Sequence, residues 1–145
     1  MSAKEILKNL VSFNTVNDKE NIVIINYIEK ILKDKGFRLE SKSKCLIMSI
    51  KNEYKLGFLG HTDTVIGDSN WETNPYEMIE KNGKLCGLGV CDMKGGLAGI
   101  LQAVTEIDWK SLKYGMKLYF TYDEEIGFNG IKEIVDKKEK FPNYM

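Results

Sequence analysis

A single histidine, His61, stands among 145 residues, with only two prolines and three cysteines. So little proline leaves no room for a proline-rich linker, and no composition shift or internal repeat marks a boundary, so one domain is expected. Cys45, Cys86 and Cys91 are odd in number and form no Cys-x-x-Cys pair. That usage fits reduced thiols in a cytoplasmic protein rather than a disulfide framework. Neither sign of charge is in excess, because 21 basic residues face 21 acidic ones. Nucleic-acid and anionic-membrane binders need a basic surplus or a basic face, so neither partner is expected. The longest aliphatic run, Ile22-Val23-Ile24-Ile25, is too short for a membrane span, and an acid as early as Glu5 is unlike a secretory leader. What is present, 43% hydrophobic and 29% charged residues, is ordinary globular composition. At this length it can bury about 68–70% of the unfolded surface without staples.

Local patterns predict helices alternating with short strands. Ser2 followed three residues later by Glu5 reads as a capping box that opens a helix running to about Leu10. A polar turn is expected over Asn14–Asp18. From Lys19 to Lys35, the residues Ile24, Ile25, Ile28, Ile31 and Leu32 recur at helical spacing, and Gly36 supplies the stop. The period then changes, so that Cys45–Ile50 and Tyr54–Leu59 read as strands. Asn82-Gly83 reads as the turn of a hairpin between Tyr76–Glu80 and Lys84–Cys86. Leu97, Ile100, Leu101 and Val104 mark a helix, Lys117–Tyr122 a strand, and Ile131–Lys138 a last helix. Phe141–Met145 looks like a turn feeding a further strand. The alternation predicts an α/β layer fold with a mostly parallel sheet.

Three clusters could carry chemistry. Gly60–Val65 (GHTDTV) follows a predicted strand, and ligands of open α/β sheets collect at the carboxyl ends of strands. In an extended backbone His61 and Asp63 share one side, so the carboxylate could fix the imidazole tautomer for metal binding; a hydrogen-bonded surface histidine is the plainer reading. Gly87–Gly96 (GLGVCDMKGG) opens a helix, where Asp92 is kept ionised by the helix dipole and suits a cation; an N-cap Asp with glycines serving the turn is the equal alternative. A dinucleotide reading of these glycines is weak, since a carboxylate at the sixth position repels a pyrophosphate. Thr121–Gly127 (TYDEEIG) places three consecutive acids at another strand end, a repulsion that a cation would relieve. One of these carboxylates could bind the ion while a neighbour acts as general base; a solvated acidic turn is the common alternative. One histidine with several carboxylates and a spare Glu describes a hydrolytic zinc site better than a closed structural one. A structural zinc site from His61, Cys86 and Cys91 ranks lower, with three ligands and no paired cysteines.

GHTDTV, GLGVCDMKGG and TYDEEIG, in this order and at these separations, resemble the zinc aminoacylase/carboxypeptidase metallopeptidase family. That family includes acetylornithine deacetylase, succinyl-diaminopimelate desuccinylase and glutamate carboxypeptidases. The connecting Trp71–Leu85, with its Trp, Pro-aromatic pair and Asn-Gly turn, is similar to the acetylornithine deacetylase branch. The resemblance implies a three-layer α/β/α zinc-peptidase-like catalytic domain with a mostly parallel mixed sheet. It implies two divalent metal ions, zinc foremost and cobalt as the other candidate, with His61 on one, Glu125 on the other and Asp92 bridging them. Asp63 would orient His61, Glu124 would be the general base, and the Asp92–Met93 peptide would be cis. The implied reaction is hydrolysis of the amide bond of an N-acyl amino acid or small peptide.

The family pattern also contains a further carboxylate ligand in a Gly-Glu-Pro segment, a second zinc-binding histidine and an insertion domain that dimerises. None of these is found in the 145 residues. The expectation is therefore that residues 1–145 form the N-terminal portion of the catalytic domain, inactive alone, with homodimerisation belonging to the full-length enzyme. A non-enzymatic metal-binding or interaction module is the alternative.

Overall fold

Ser2 closes the first helix, α1 (Ala3–Ser12), with the complete capping box its spacing predicts. The Ser2 hydroxyl accepts the Glu5 N–H at 3.3 Å, and Glu5 Oε2 accepts the Ser2 N–H at 2.7 Å. In the computed structural model residues 1–17, 19 and 21–145 are described. Asp18 and Glu20 lie outside the described residues, and with them the end of the polar turn expected over Asn14–Asp18 and one position of the expected helix Lys19–Lys35. That helix, α2, is described over Asn21–Lys33 and buries Ile24, Ile25, Ile28, Ile31 and Leu32, the residues at helical spacing. Gly36, at φ +85°, follows it.

The strands come next: β1 (Arg38–Lys42), β2 (Leu46–Ile50) and β3 (Tyr54–His61), then the hairpin of β4 (Ile79–Lys81) and β5 (Lys84–Cys86). Asn82 and Gly83 both have positive φ between β4 and β5, as a two-residue hairpin turn requires. A wide turn, Val90–Lys94, leads into α3 (Gly95–Glu106), followed by β6 (Gly115–Thr121) and α4 (Asn129–Asp136). Among the described residues no helix is long and apolar enough to cross a membrane.

The main sheet has the order β1-β2-β6-β3. β3 runs parallel to β6, while β1–β2 and β2–β6 are antiparallel, so the sheet is mixed. Its antiparallel share exceeds what the helix–strand alternation suggests, because β1, a strand not expected from the sequence, folds straight back onto β2. Leu46, Met48 and Ile50 of β2 and Met116, Leu118 and Phe120 of β6 alternate toward one face, where they meet α1, α2 and α3 in the main core. On the other face Ile47 and Tyr119 pack with Cys45 and with Ile134 of α4. Helices thus cover both faces, which is the three-layer α/β/α arrangement. At the outer edge of β3, Tyr144 forms a parallel bridge to Leu56, so Phe141–Met145 does run into strand-like pairing.

Candidate metal centre

β3 and β6 lie side by side and parallel, with His61 opposite Thr121, so the segments leaving their carboxyl ends emerge together. His61 is buried. Its Nδ1 lies 3.1 Å from the main-chain oxygen of Asp63 and 3.5 Å from Asp63 Oδ1. Both are acceptors, so Nδ1 carries the proton and Nε2 faces the open end, 3.0 Å from Asp92 Oδ1 and 4.0 Å from Glu124 Oε2. The imidazole is therefore gripped more closely by the Asp63 carbonyl than by its carboxylate. That carboxylate reaches across instead, and its Oδ2 accepts the Glu125 N–H at 3.1 Å. Asp63 thereby ties the loop after β3 to the loop after β6.

Asp92 sits on the wide turn before α3, with its side chain 73% exposed. The turn is closed by the Lys94 N–H on the Gly89 carbonyl at 2.8 Å, and the Asp92–Met93 peptide is cis. Gly89, at φ +78°, could not carry a side chain here, since a Cβ would lie 2.6 Å from Thr64 Cγ2. The acidic run divides its labour. Asp123 turns away, accepting from Asn129 Nδ2 at 2.6 Å and shaping the entry to α4, while Glu124 and Glu125 stay beside His61.

One atom each from His61, Glu124 and Glu125 lie within 4.8 Å of one another, a spacing that suits a metal ion. Asp92 flanks this trio through His61. Cys86 and Cys91 do not join it, so among the described residues the sulfur-containing zinc site gains no support. Burial and the charges of Asp92 and Glu124 raise the Glu125 pKa, and the charge of His61 opposes them. Burial pulls the His61 pKa down, but hydrogen bonds to Asp63 and Asp92 outweigh it and push it up to about 9. Asp63, although burial opposes it, is held below the usual carboxylate range by hydrogen bonds from His61 and from the Glu125 and Glu124 amides. The cluster is thus a concentration of carboxylates answered by one imidazolium. Oxygen and nitrogen donors in that excess fit a divalent cation, which would take the place of the Nε2 proton among the carboxylates.

The floor of the site is fixed by residues the sequence did not single out. Asn21, fully buried at the start of α2, accepts from Thr62 Oγ1 at 2.5 Å and donates to the Lys44 carbonyl at 2.7 Å. Thr62 N also donates to the Thr121 carbonyl at 3.0 Å. A polar residue beginning an apolar helix reads as an end cap, so nothing local betrays this cross-link. Beside the carboxylates lies an open depression of about 340 Å³ whose lining includes Val65, Trp71, Cys91, Asp92 and Glu125.

The family description for peptidases M20/M25/M40 matches residues 57–145. Acetylornithine deacetylase of Buchnera aphidicola subsp. Schizaphis graminum is 31% identical over 147 residues, covering 96% of this chain and 39% of that protein. The Pasteurella multocida acetylornithine deacetylase is 32% identical over 135 residues, covering 87% of this chain and 35% of its own length. Human carnosine dipeptidase 1 superposes with a TM-score of 0.82 at 23% identity, over 94% of this chain and 35% of that one. An M20 family metallo-carboxypeptidase from Sulfolobus solfataricus gives 0.81 at 23% identity, over 95% and 34%. At these identities the two structures speak for the fold alone. The chain spans between a third and two fifths of the length of these proteins.

Proposed function

The chain belongs to peptidase family M20/M25/M40, and from that premise we propose that it carries the metal-binding core of a hydrolase that cleaves the amide bond of N-acyl amino acids or small peptides. Acetylornithine-type deacylation is the favoured substrate class, with the curated relatives in its support. The single observation that carries this reading is the convergence of His61, Asp92, Glu124 and Glu125 at the ends of β3 and β6 and the start of α3.

His61 Nε2, Asp92 and Glu125 would hold the divalent cations, two in number and with zinc the favoured ion. When bound, the cations polarise the scissile carbonyl and acidify the attacking water. Asp63 keeps His61 in the tautomer whose Nε2 is free to donate its lone pair, and through the Glu125 N–H it fixes the second loop. Glu124 Oε2 accepts a proton from the attacking water and returns it to the leaving amine nitrogen. The substrate lies over the depression beside Trp71 and Cys91. Residues 1–145 serve as the N-terminal portion of the catalytic domain of a cytoplasmic enzyme, and turnover draws further ligands and the dimerising domain from outside this set.

Titration with Zn²⁺ tests the reading. The chain is expected to take up metal, His61→Ala is expected to abolish tight uptake, and Asp92→Ala is expected to weaken it about 100-fold. In the full-length context Glu124→Ala should abolish hydrolysis of N-acetylornithine while sparing uptake. Undiminished uptake by the first two variants overturns the ligand assignment, and retained turnover by the third removes Glu124 as the base.

A further inference from the structure

Lys94 follows Asp92 by two residues and is only 1% exposed, a burial that lysines almost never reach. Its Nζ donates to the main-chain carbonyl of Phe13 at 2.9 Å, at the very end of α1 and 81 residues away along the chain. The last turn of α1 contains no basic residue of its own. Lys94 therefore delivers from outside the positive charge that a helix C-terminus favours.

The lysine stem also braces the turn. A Cβ on Gly89 would come 3.2 Å from Lys94 Cδ, and one on Gly87 would come 2.8 Å from Val11 Cγ1 of α1. The loop bearing Asp92 is thus pressed onto α1 at one point and tethered to its end at another. The exposed Asp92 side chain meets His61 Nε2 at 3.0 Å but gains no such hold from packing, so the backbone of the turn decides whether its carboxylate can reach that contact. A methionine would fill much the same space as Lys94 without the cost of burying an ammonium. The charge is kept for the tether rather than for the volume.

Resting on the reading of Asp92 as a metal ligand, we propose that Lys94 is a positioning residue for Asp92. By anchoring the turn before α3 to the carboxyl end of α1, it holds the Asp92 carboxylate over His61 Nε2.

The test is a Co²⁺ titration of the whole chain, followed by its visible absorption, in wild type, Lys94→Met, the milder Lys94→Gln, Asp92→Ala, and Asp92→Ala combined with each Lys94 change. Each lysine variant is expected to unfold cooperatively and to bind Co²⁺ about tenfold or more weakly, with an altered band envelope. In the Asp92→Ala background the same changes should alter affinity less than about twofold, because the tether acts only through the missing carboxylate. Wild-type affinity in either folded lysine variant overturns the proposal alone, as does a full additional loss in the Asp92→Ala background. Failure of both lysine variants to fold also overturns it, since Lys94 would then hold the fold and not the site. Unchanged affinity in Asp92→Ala itself overturns the site reading, and the proposal with it.

Discussion

Glu29 and Glu125 are carboxylates of one sheet-and-helix body, and the chain treats them in opposite ways. Glu29, on α2, is nearly buried and meets Lys33 at 2.7 Å and Lys42 of β1 at 2.5 Å. Those hydrogen bonds hold it below the usual glutamate range. Glu125, beyond the end of β6, is pushed the other way by burial and by the neighbouring charges of Asp92, Glu124 and Asp63. The flank of the molecule is electrically closed and the strand ends are left open. Uncompensated negative charge costs stability wherever it gathers, so its tolerance at one place marks where a cation is expected to supply the missing balance.

The contrast breaks first at Asp92. Because its side chain is exposed, Asp92→Ala should leave the unfolding free energy of the metal-free chain within about 0.5 kcal/mol. Zn²⁺ affinity should fall about 100-fold, equivalent to ~2.7 kcal/mol. Urea denaturation and calorimetric titration on the same sample read the two numbers. A stability loss comparable to the affinity loss would place Asp92 in the fold and remove the distinction. Asn21→Ala probes the opposite limit, where support for the site is buried. It removes the amide donor to the Lys44 carbonyl and one of the two acceptors facing the Thr62 hydroxyl, the other being the Thr121 carbonyl at 2.9 Å, and should destabilise the chain by about 1.5 kcal/mol in urea denaturation.

Much of this division was legible beforehand, and the exceptions have physical reasons. The capping box at Ser2 and Glu5, the apolar spacing of α2 and the Asn82-Gly83 hairpin are local signals, and local geometry obeyed them. β1 was not legible, because Arg38-Leu39-Glu40-Ser41-Lys42 offers one apolar residue and no alternation. It is an exposed edge strand that exists through pairing with β2. That His61, Asp92, Glu124 and Glu125 lie near one another could be read from residue type and placement at two strand ends and a helix start. The carboxylate of Asp63 reaching Glu125, 62 residues on, could not, nor could the hold of Asn21 on Thr62, because both depend on parallel pairing of β3 with β6 and the docking of α2.

At the closed flank, Glu29→Gln should cost about 1 kcal/mol near neutral pH, through loss of charge-assisted hydrogen bonds to partly exposed lysines. The sign of the pH dependence follows from the lowered pKa of the folded state. Its stabilisation is complete above the ordinary value of 4.5 and is lost as pH falls below it through the folded-state pKa. The difference between wild type and Glu29→Gln in urea midpoint should therefore shrink on acidification below about pH 4.5. A difference that persists unchanged to pH 2 would mean the carboxylate's charge contributes nothing.

The smallest effect is the sharpest, because it is the same chemical change with the opposite sign. Glu124→Gln removes one of the charges that press on Glu125, and in the metal-free chain His61 is the charge among the described residues that answers them. Since Glu124 is partly exposed and solvent screens the repulsion, the gain should be only about 0.3 kcal/mol, measured as a rise in urea midpoint. Added Zn²⁺ should cancel that rise, because a cation among the carboxylates removes the repulsion that the substitution relieves. A glutamate-to-glutamine change that destabilises here as it does at Glu29 would show the strand ends to be as well compensated as the flank, and the case for a cation between them would lose its electrostatic footing.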